Sequence, residues 1–123
     1  MKNNIIIDKS FLFAVRIVKL QQYLTSKKHE FVLSKQILRS GTSIGANVEE
    51  AHGGISDSDF SHKISIAYKE ARETFYWLRL LFATEYINEN MFSSLSNDCE
   101  ELCKILFSII KTTRINKRPK NKK

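Results

Sequence analysis

The sequence predicts an all-α fold, an antiparallel four-helix bundle with up-down-up-down topology. The chain has one proline, Pro119, and four glycines, so the first 118 residues hold few of the breakers that an all-β chain needs at its turns. Apolar residues recur at helical spacing in four segments joined by short links. A chain of 123 residues is long enough to bury a core and is expected to form one domain.

The first predicted helix runs from about Asp8 to Lys28 and carries two apolar stripes. One stripe is enough for a bundle core, so the second implies that a neighbouring subunit covers the helix from its other side. The stripes consist of Phe11, Ala14, Val15 and Val18, and of Phe13, Ile17, Leu20 and Leu24.

The second predicted helix begins near residues 31–34 and ends at Gly53-Gly54, a pair suited to a left-handed C-terminal cap. Its inward stripe is Leu33, Ile37, Ile44, Val48 and Ala51. Two glycines interrupt this helix, and each costs roughly 1 kcal/mol relative to alanine, so a close packing contact must offset them. Hydroxyl and amide groups beside them are expected to bond to a neighbouring helix or a backbone carbonyl. The predicted helix-contact residues are Gly41, Ser43, Ile44, Gly45 and Asn47, with Ser40 nearby.

The third predicted helix opens at the Ser56-Asp57-Ser58-Asp59 cluster, which offers N-caps, and continues to about Ala83. Its inward residues are Phe60, Ile64, Ala67, Ala71, Phe75, Leu78 and Phe82. A second, mixed stripe is either a solvated surface or a subunit interface whose acids find basic partners. The residues of this candidate interface are Ile66, Glu70, Glu73 and Trp77.

The fourth predicted helix follows a polar connection at residues 88–90 and spans roughly Ser94 to Thr113. Its apolar face is Leu95, Cys99, Leu102, Leu106, Ile109 and Ile110. We therefore expect the bundle to occupy residues 1–113 and a basic, flexible C-terminal tail to occupy residues 114–123.

The net charge of +7 belongs entirely to the C-terminal end of the chain. Residues 111–123 contain seven basic residues and no acid, whereas the rest of the chain has 13 basic and 13 acidic residues. The basic residues are Lys111, Arg114, Lys117, Arg118, Lys120, Lys122 and Lys123. Such a segment gains by neutralising phosphates, so we predict that these residues bind RNA or DNA, with a purely solubilising tail as the alternative. Lys27, Lys28, Lys35 and Arg39 are either additions to this surface or ordinary solvated charges.

Two cysteines lie four residues apart, Cys99 and Cys103, and form neither a CxxC pair nor a disulfide framework. The apolar triplet near the N-terminus is too short for a signal-peptide core, and no segment has the apolar length of a membrane span. These patterns predict a soluble protein in the reducing cytoplasm.

Three runs carry a family resemblance: LRSGTSIGANVEEA from Leu38 to Ala51, KEARETFYWLRLL from Lys69 to Leu81, and ELCKILFSIIKT from Glu101 to Thr112. They resemble the bacterial four helix bundle protein family, also named for the 23S rRNA intervening sequences in which some of its genes lie. The resemblance implies a ring-shaped homopentamer and offers no catalytic residue. The chain is also similar to the accessory bundle proteins of diversity-generating retroelements, which implies nucleic acid and a protein partner such as a reverse transcriptase.

No enzymatic site is predicted, and no catalytic, cofactor-binding or metal-binding residue is assigned. A di-iron bundle needs two E-x-x-H motifs facing inward, whereas this chain has one, Glu49 to His52, lying off the core stripe. Thiols in an apolar stripe are usually inert, and His29 and His62 have no nucleophile at helical spacing. The glycine run lacks the Lys-Ser/Thr of a phosphate-binding loop and follows no strand.

The resulting functional prediction is a non-enzymatic homo-oligomer that binds nucleic acid electrostatically as an accessory protein. A pentamer would carry five copies of the basic segment, which strengthens attraction to a polyanion. No recognition helix, zinc knuckle or stacking sheet is evident, so binding is expected to tolerate any base sequence. The alternative is a protein-only scaffold. The apolar stripe that contains Phe11 and the mixed stripe of the third predicted helix could both bind protein without any nucleic acid.

Overall fold

Four helices account for nearly all of the chain in a computed structural model, which describes the backbone of residues 2–117 and the side chains of residues 5–114. They are α1 (Lys2–Ser26), α2 (Leu33–His52), α3 (Asp57–Ala83) and α4 (Glu89–Lys117). No strand occurs among the described residues, which confirms the all-α prediction. Helices α1 and α4 both start before the predicted residues, and α4 also continues past Thr113. None of the described helices has an apolar stretch long enough to cross a bilayer.

Consecutive helices are antiparallel. Between α1 and α2, Gly41 lies against Ile17 while Gly45, one turn later, lies against Ser10, so sequence position rises along one helix as it falls along the other. Each helix packs on two others, and within the described residues the diagonal pairs α1–α3 and α2–α4 do not approach each other. This is the arrangement of an up-down-up-down bundle.

Polar contacts close the bundle by joining α4 to α1. The Arg16 guanidinium lies 2.7 Å from the Asp98 carboxylate and donates to the Ser94 hydroxyl at 2.8 Å. Lys9 pairs with Glu101 at 3.2 Å further along. These side chains are partly exposed, so the pairs fix the register of the two helices more than they stabilise the fold.

The core contains one stripe from each helix. Of the two stripes predicted for α1, the one from Phe13 to Leu24 is buried and the one from Phe11 to Val18 lies outside the core. The predicted stripes of α2 and α4 are buried, apart from half-buried Leu33 and Ile110. Those buried side chains are Phe13, Ile17, Leu20, Leu24, Ile37, Ile44, Val48, Ala51, Leu95, Cys99, Leu102, Leu106 and Ile109.

The stripe of α3 differs from the prediction towards its C-terminal end. Ile64, Ala67, Ala71 and Leu78 are buried as expected, but the line passes through Thr74 and Leu81. Spacings of three and four alternate along this line, as they do at the seam between supercoiled helices. Phe60 and Phe75 therefore lie half-buried at its side, and the prediction that Phe82 faces inward is wrong, since that ring is exposed.

Side-chain caps begin α2, α3 and α4. The Ser56 hydroxyl accepts from the Asp59 amide at 3.0 Å, and the Asn88 side-chain oxygen accepts from the Met91 amide at 2.8 Å. The carboxylate of Glu30, buried before α2, accepts from the amides of Val32, Leu33 and Ser34. These contacts satisfy amides that have no partner inside their own helix.

The expected left-handed cap at the end of α2 is absent. Gly53 has φ −95°, and its amide donates to the carbonyls of Glu49 and Glu50, so the last turn tightens without reversing direction. Among the described residues, the left-handed conformation occurs instead at two non-glycines, His29 (φ 54°) and Glu85 (φ 69°).

Candidate nucleic-acid interface

The two helix-interior glycines lie at the contact between α1 and α2. A Cβ atom on Gly41 would be 2.8 Å from the γ carbons of Ile17, and one on Gly45 would be 3.2 Å from the Ser10 carbonyl oxygen. Both glycines are buried. The absent side chains therefore allow the two backbones to approach each other, and this seam leaves no room for a ligand.

The other predicted helix-contact residues differ in what they bond. Ile44 is buried in the core, whereas the Ser43 hydroxyl donates to the Arg39 carbonyl at 2.6 Å and the Asn47 amide donates to the Ser43 carbonyl at 2.8 Å. Both bonds stay within α2. The hydrogen bond to a neighbouring helix is made by Ser40, whose buried hydroxyl accepts from Thr74 of α3 at 2.8 Å.

The mixed stripe of α3 meets a basic partner from the same chain. The Arg39 guanidinium of α2 donates to Glu70 at 3.1 Å and also to Glu73, and the Trp77 indole N–H donates to Glu73 at 2.9 Å. Ile66 is half-buried on this stripe. Because Arg39 is held by two carboxylates, it is a poor candidate for binding a polyanion. A subunit interface at this stripe stays a prediction.

The outer side of α1 is strongly apolar. Phe11 and Leu12 are 63% and 62% exposed, and Ile5, Val15 and Val18 of the same helix are also exposed. Large apolar side chains clustered on a surface are typical of an interaction site. We call Phe11, Leu12, Val15 and Val18 the α1 outer stripe.

The basic segment, residues 111–123, begins within helix α4. Lys111 and Arg114 are both exposed, and α4 continues to Lys117, so these cations follow each other at three-residue intervals along the helix. Residue 114 is therefore helical, although the sequence places the start of a flexible tail there. The predicted nucleic-acid-binding residues Arg118, Lys120, Lys122 and Lys123 lie outside the described residues.

A cluster of aromatic rings and cations lies between α3 and α4. The ring centroids of Tyr68 and Phe107 are 5.7 Å apart, with a tilt of 34° between the rings. The Arg72 guanidinium lies 5.9 Å from the Tyr68 centroid and donates to its hydroxyl at 3.1 Å, which raises the pKa of Arg72. The Lys111 ammonium lies 5.2 Å from the Phe107 centroid. We call Tyr68, Arg72, Phe107 and Lys111 the aromatic cluster.

A polar notch adjoins the aromatic cluster on the side towards the C-terminal end of α4. It is an open cavity of about 200 Å³ lined by Ser61, Ile64, Ser65, Ile110, Thr113 and Arg114. The Thr113 hydroxyl donates to the Ile109 carbonyl at 2.8 Å. Among the described residues, the Ser61 and Ser65 hydroxyls have no protein partner, and no carboxylate lies within 4 Å of the Arg114 guanidinium.

Sequence reasoning missed both the aromatic cluster and the notch. The sequence did hold a signal for the cluster, because an aromatic residue is followed four residues later by a cation on two successive helices: Tyr68 by Arg72, and Phe107 by Lys111. The meeting of the two rings depends on the register between α3 and α4, which no local pattern encodes.

The two thiols have different environments. Cys99 is buried and its thiol donates to the Ala71 carbonyl at 3.3 Å; the adjacent Cys103 thiol and burial raise the pKa of Cys99. The adjacent Cys99 thiol, helped by the charge of Arg72, lowers the pKa of the half-buried Cys103. Within the described side chains, no three His, Cys, Asp or Glu residues come together as a metal site requires. Glu49 and His52 are both exposed at the end of α2.

Comparison with known proteins identifies similar chains along most of this sequence. The family described as 23S rRNA-intervening sequence protein matches residues 2–108. A crystal structure from Bacteroides thetaiotaomicron, described as a protein with unknown function from the S23 ribosomal protein family, is 57% identical with a TM-score of 0.89. The alignment covers 90% of this chain and 99% of that one. No curated protein matches the chain. The family match includes Tyr68 and Phe107 and ends before Lys111, the first residue of the basic segment.

Proposed function

This chain belongs to the family of 23S rRNA-intervening sequence proteins, and from that premise we propose that it is a non-enzymatic homo-oligomer that binds nucleic acid. The proposed assembly is the ring-shaped homopentamer that the family resemblance implies. The proposed ligand is RNA or DNA, recognised through its phosphates.

The distribution of charge carries the proposal. Every unit of the +7 net charge comes from residues 111–123, which include no acid. Where the segment is described, Lys111 and Arg114 are exposed and form no ion pair with a carboxylate of the described residues. Cations without acidic neighbours can release counterions from a nucleic acid, which makes a favourable and salt-dependent contribution to binding.

The α1 outer stripe supports self-association. Exposed rings and aliphatic side chains at the surface of one helix are stabilised when another subunit covers them. In a ring, every protomer would also bring its basic segment to the same assembly, so several weak phosphate contacts act together on one polyanion.

A protein-only scaffold is the second candidate function. The α1 outer stripe favours it, because an exposed apolar helix face can bind another protein without any nucleic acid. The two candidates differ in the role of the basic segment. In the scaffold its charge keeps the protein soluble, and RNA or DNA has no specific place on the surface.

A matched pair of charge variants tests the proposal. The first combines Lys117→Gln, Arg118→Gln, Lys120→Gln and Lys122→Gln; the control combines Lys19→Gln, Lys69→Gln, Arg79→Gln and Lys104→Gln, all at exposed positions. Both remove four positive charges, so they differ only in where the charge is lost.

Binding to RNA and DNA is measured by gel shift over a series of salt concentrations. We expect the first variant to bind at least about tenfold more weakly, with a logarithmic salt slope smaller by about 3, because up to four phosphate contacts disappear. We expect the control to bind as the unaltered protein does. Equal losses in both variants, or no binding by the unaltered protein at low salt, would favour the scaffold.

Light scattering tests the assembly. We expect a pentamer from the unaltered protein and smaller species from the double variant Phe11→Ser, Leu12→Ser, because serine removes the apolar area that drives association. The control is Phe31→Ser, Val32→Ser, which alters two exposed apolar residues before α2. A monomer at micromolar concentration of the unaltered protein would refute the ring.

A further inference from the structure

We propose that the surface between α3 and α4 binds single-stranded nucleic acid by stacking an unpaired base on the aromatic cluster and holding an adjacent phosphate in the polar notch. The inference rests on the proposed function and adds to it a strand preference and a location.

The chemistry of the aromatic cluster matches an unpaired base. Phe107 is 42% exposed, Tyr68 lies beside it, and the Lys111 ammonium and Arg72 guanidinium lie close to these rings. A base that stacks on Phe107 displaces the Lys111 ammonium that lies over this ring, and the displaced cation can pair with an adjacent phosphate. In a duplex the base faces are already stacked on each other, so such a surface favours single strands.

The polar notch continues the same surface. Ser61, Ser65, Tyr68 and Arg72 lie within about 60° of one another around α3, and Phe107, Ile110 and Arg114 form the facing stripe of α4. From Tyr68 to Ser61 the distance along α3 is about 10 Å, which brings the notch within reach of the phosphates next to a stacked base.

The groups in the notch are those that a phosphate requires. Arg114 supplies a guanidinium with no carboxylate partner among the described residues, and Ser61 and Ser65 supply hydroxyl donors that no described protein group uses. On α4 the charge points the same way, because the chain has no acidic residue after Glu101. The exposed Asp57 of α3 lies one turn before Ser61. On α3, the nearby Glu70 is already paired with Arg39 of α2.

The experiment removes the ring and keeps the apolar side chain. Phe107→Leu is compared with Phe82→Leu, a substitution at a similarly exposed phenylalanine, 37% exposed, which stacks on Phe92 at the opposite end of the bundle. The probes are an oligothymidine of about 20 nucleotides, long enough to cover at least one binding site of usual size, and a mixed-sequence duplex of the same length.

We expect Phe107→Leu to weaken binding of the oligothymidine about tenfold, the usual loss when one stacked base is released, while duplex binding changes less than about twofold. Phe82→Leu should change neither affinity. Phe107→Tyr, which restores a ring, should recover the affinity for the single strand. Thermal unfolding and light scattering of each variant check its fold and assembly.

The outcomes separate this inference from the proposed function. If the variant Lys117→Gln, Arg118→Gln, Lys120→Gln, Lys122→Gln loses affinity for both probes and Phe107→Leu loses none, the proposed nucleic-acid binding stands and the proposed stacking surface is wrong. Equal weakening of both probes by Phe107→Leu, or a change of molar mass showing that a second copy covers the ring, also overturns the inference. If no probe binds the unaltered protein at low salt, both proposals fail.

Discussion

The seam between α1 and α2 and the seam between α3 and α4 have the same antiparallel geometry but opposite contents. In the first, Gly41 and Gly45 bring two backbones so close that a Cβ atom would lie 2.8 Å from Ile17 and 3.2 Å from Ser10. In the second, the outer edge is filled with an exposed aromatic cluster and a notch lined by hydroxyls and a guanidinium.

The difference separates what holds the protomer together from what remains available to a partner. A close-packed seam leaves no unused polar group, because an unpaired polar atom away from water costs free energy. At the α3–α4 edge, the Ser61 and Ser65 hydroxyls bond to no described protein group, and Lys111 and Arg114 pair with no described carboxylate. These groups are hydrated until a ligand replaces the water. Stability is therefore expected to depend on the first seam and binding on the second.

The largest expected effect comes from filling the close-packed seam. Gly41→Val places β and γ carbons where Ile17 already lies, and we expect a loss of about 3 kcal/mol in the free energy of unfolding, because overpacking a buried contact forces the helices apart. Urea denaturation followed by circular dichroism measures it.

Gly53→Ala is the matched control. The nearest atoms to a Cβ there are 3.8 Å away and the backbone φ is −95°, so alanine fits without strain and stability should stay equal or rise by up to about 1 kcal/mol. If Gly41→Val is as stable as Gly53→Ala, the account of this seam is wrong.

An effect of intermediate size is expected in the alkylation rates of Cys99 and Cys103, the two thiols near the seam between α3 and α4. The pKa of Cys103 is lowered and that of Cys99 is raised, so at neutral pH the thiolate fraction of Cys103 is the larger, and it rises as pH increases. Since the thiolate is the nucleophile, we expect iodoacetamide to modify Cys103 more than about tenfold faster than Cys99. Peptide mass spectrometry at a series of pH values measures both rates. A Cys103→Ser control should leave only slow modification, and equal rates at the two sites would contradict the assignment.

The smallest effect on stability is expected in the notch. Because the Ser61 and Ser65 hydroxyls bond to no described protein group, the double variant Ser61→Ala, Ser65→Ala should change the free energy of unfolding by less than about 0.5 kcal/mol. Its affinity for a single strand should fall several-fold. The same urea and gel-shift measurements apply, and a large loss of stability would mean that the notch is part of the core packing.

The sequence was sufficient for the fold because the helices of this chain bury periodic stripes. Phe13, Ile17, Ile44 and Val48 lie in the core as their spacing predicts. The prediction for Phe82 was wrong because the apolar stripe of a straight helix drifts by about 10° per turn relative to a seven-residue repeat. Near the end of α3, this drift decides which side of the helix faces inward. The cap at Gly53 was misjudged because glycine permits the left-handed conformation without requiring it.

The candidate site was only partly predictable. Lys111 and Arg114 follow from charge alone, since a block of cations needs no tertiary structure to be recognised. The partner of Glu70 and Glu73 is Arg39 of the same chain. The contact between Tyr68 and Phe107 joins residues that are 39 positions apart in the sequence. Both depend on helix register, which packing of the whole bundle determines.

The position of a bound strand tests the central claim most directly. A photoreactive oligothymidine is crosslinked to the unaltered protein, and the modified peptides are identified by mass spectrometry. We predict crosslinks on α3 and α4 around Tyr68 and Phe107 and in the segment after Lys111, with fewer at higher salt. Crosslinks concentrated on α1 or α2, or spread evenly over the surface, would contradict the account.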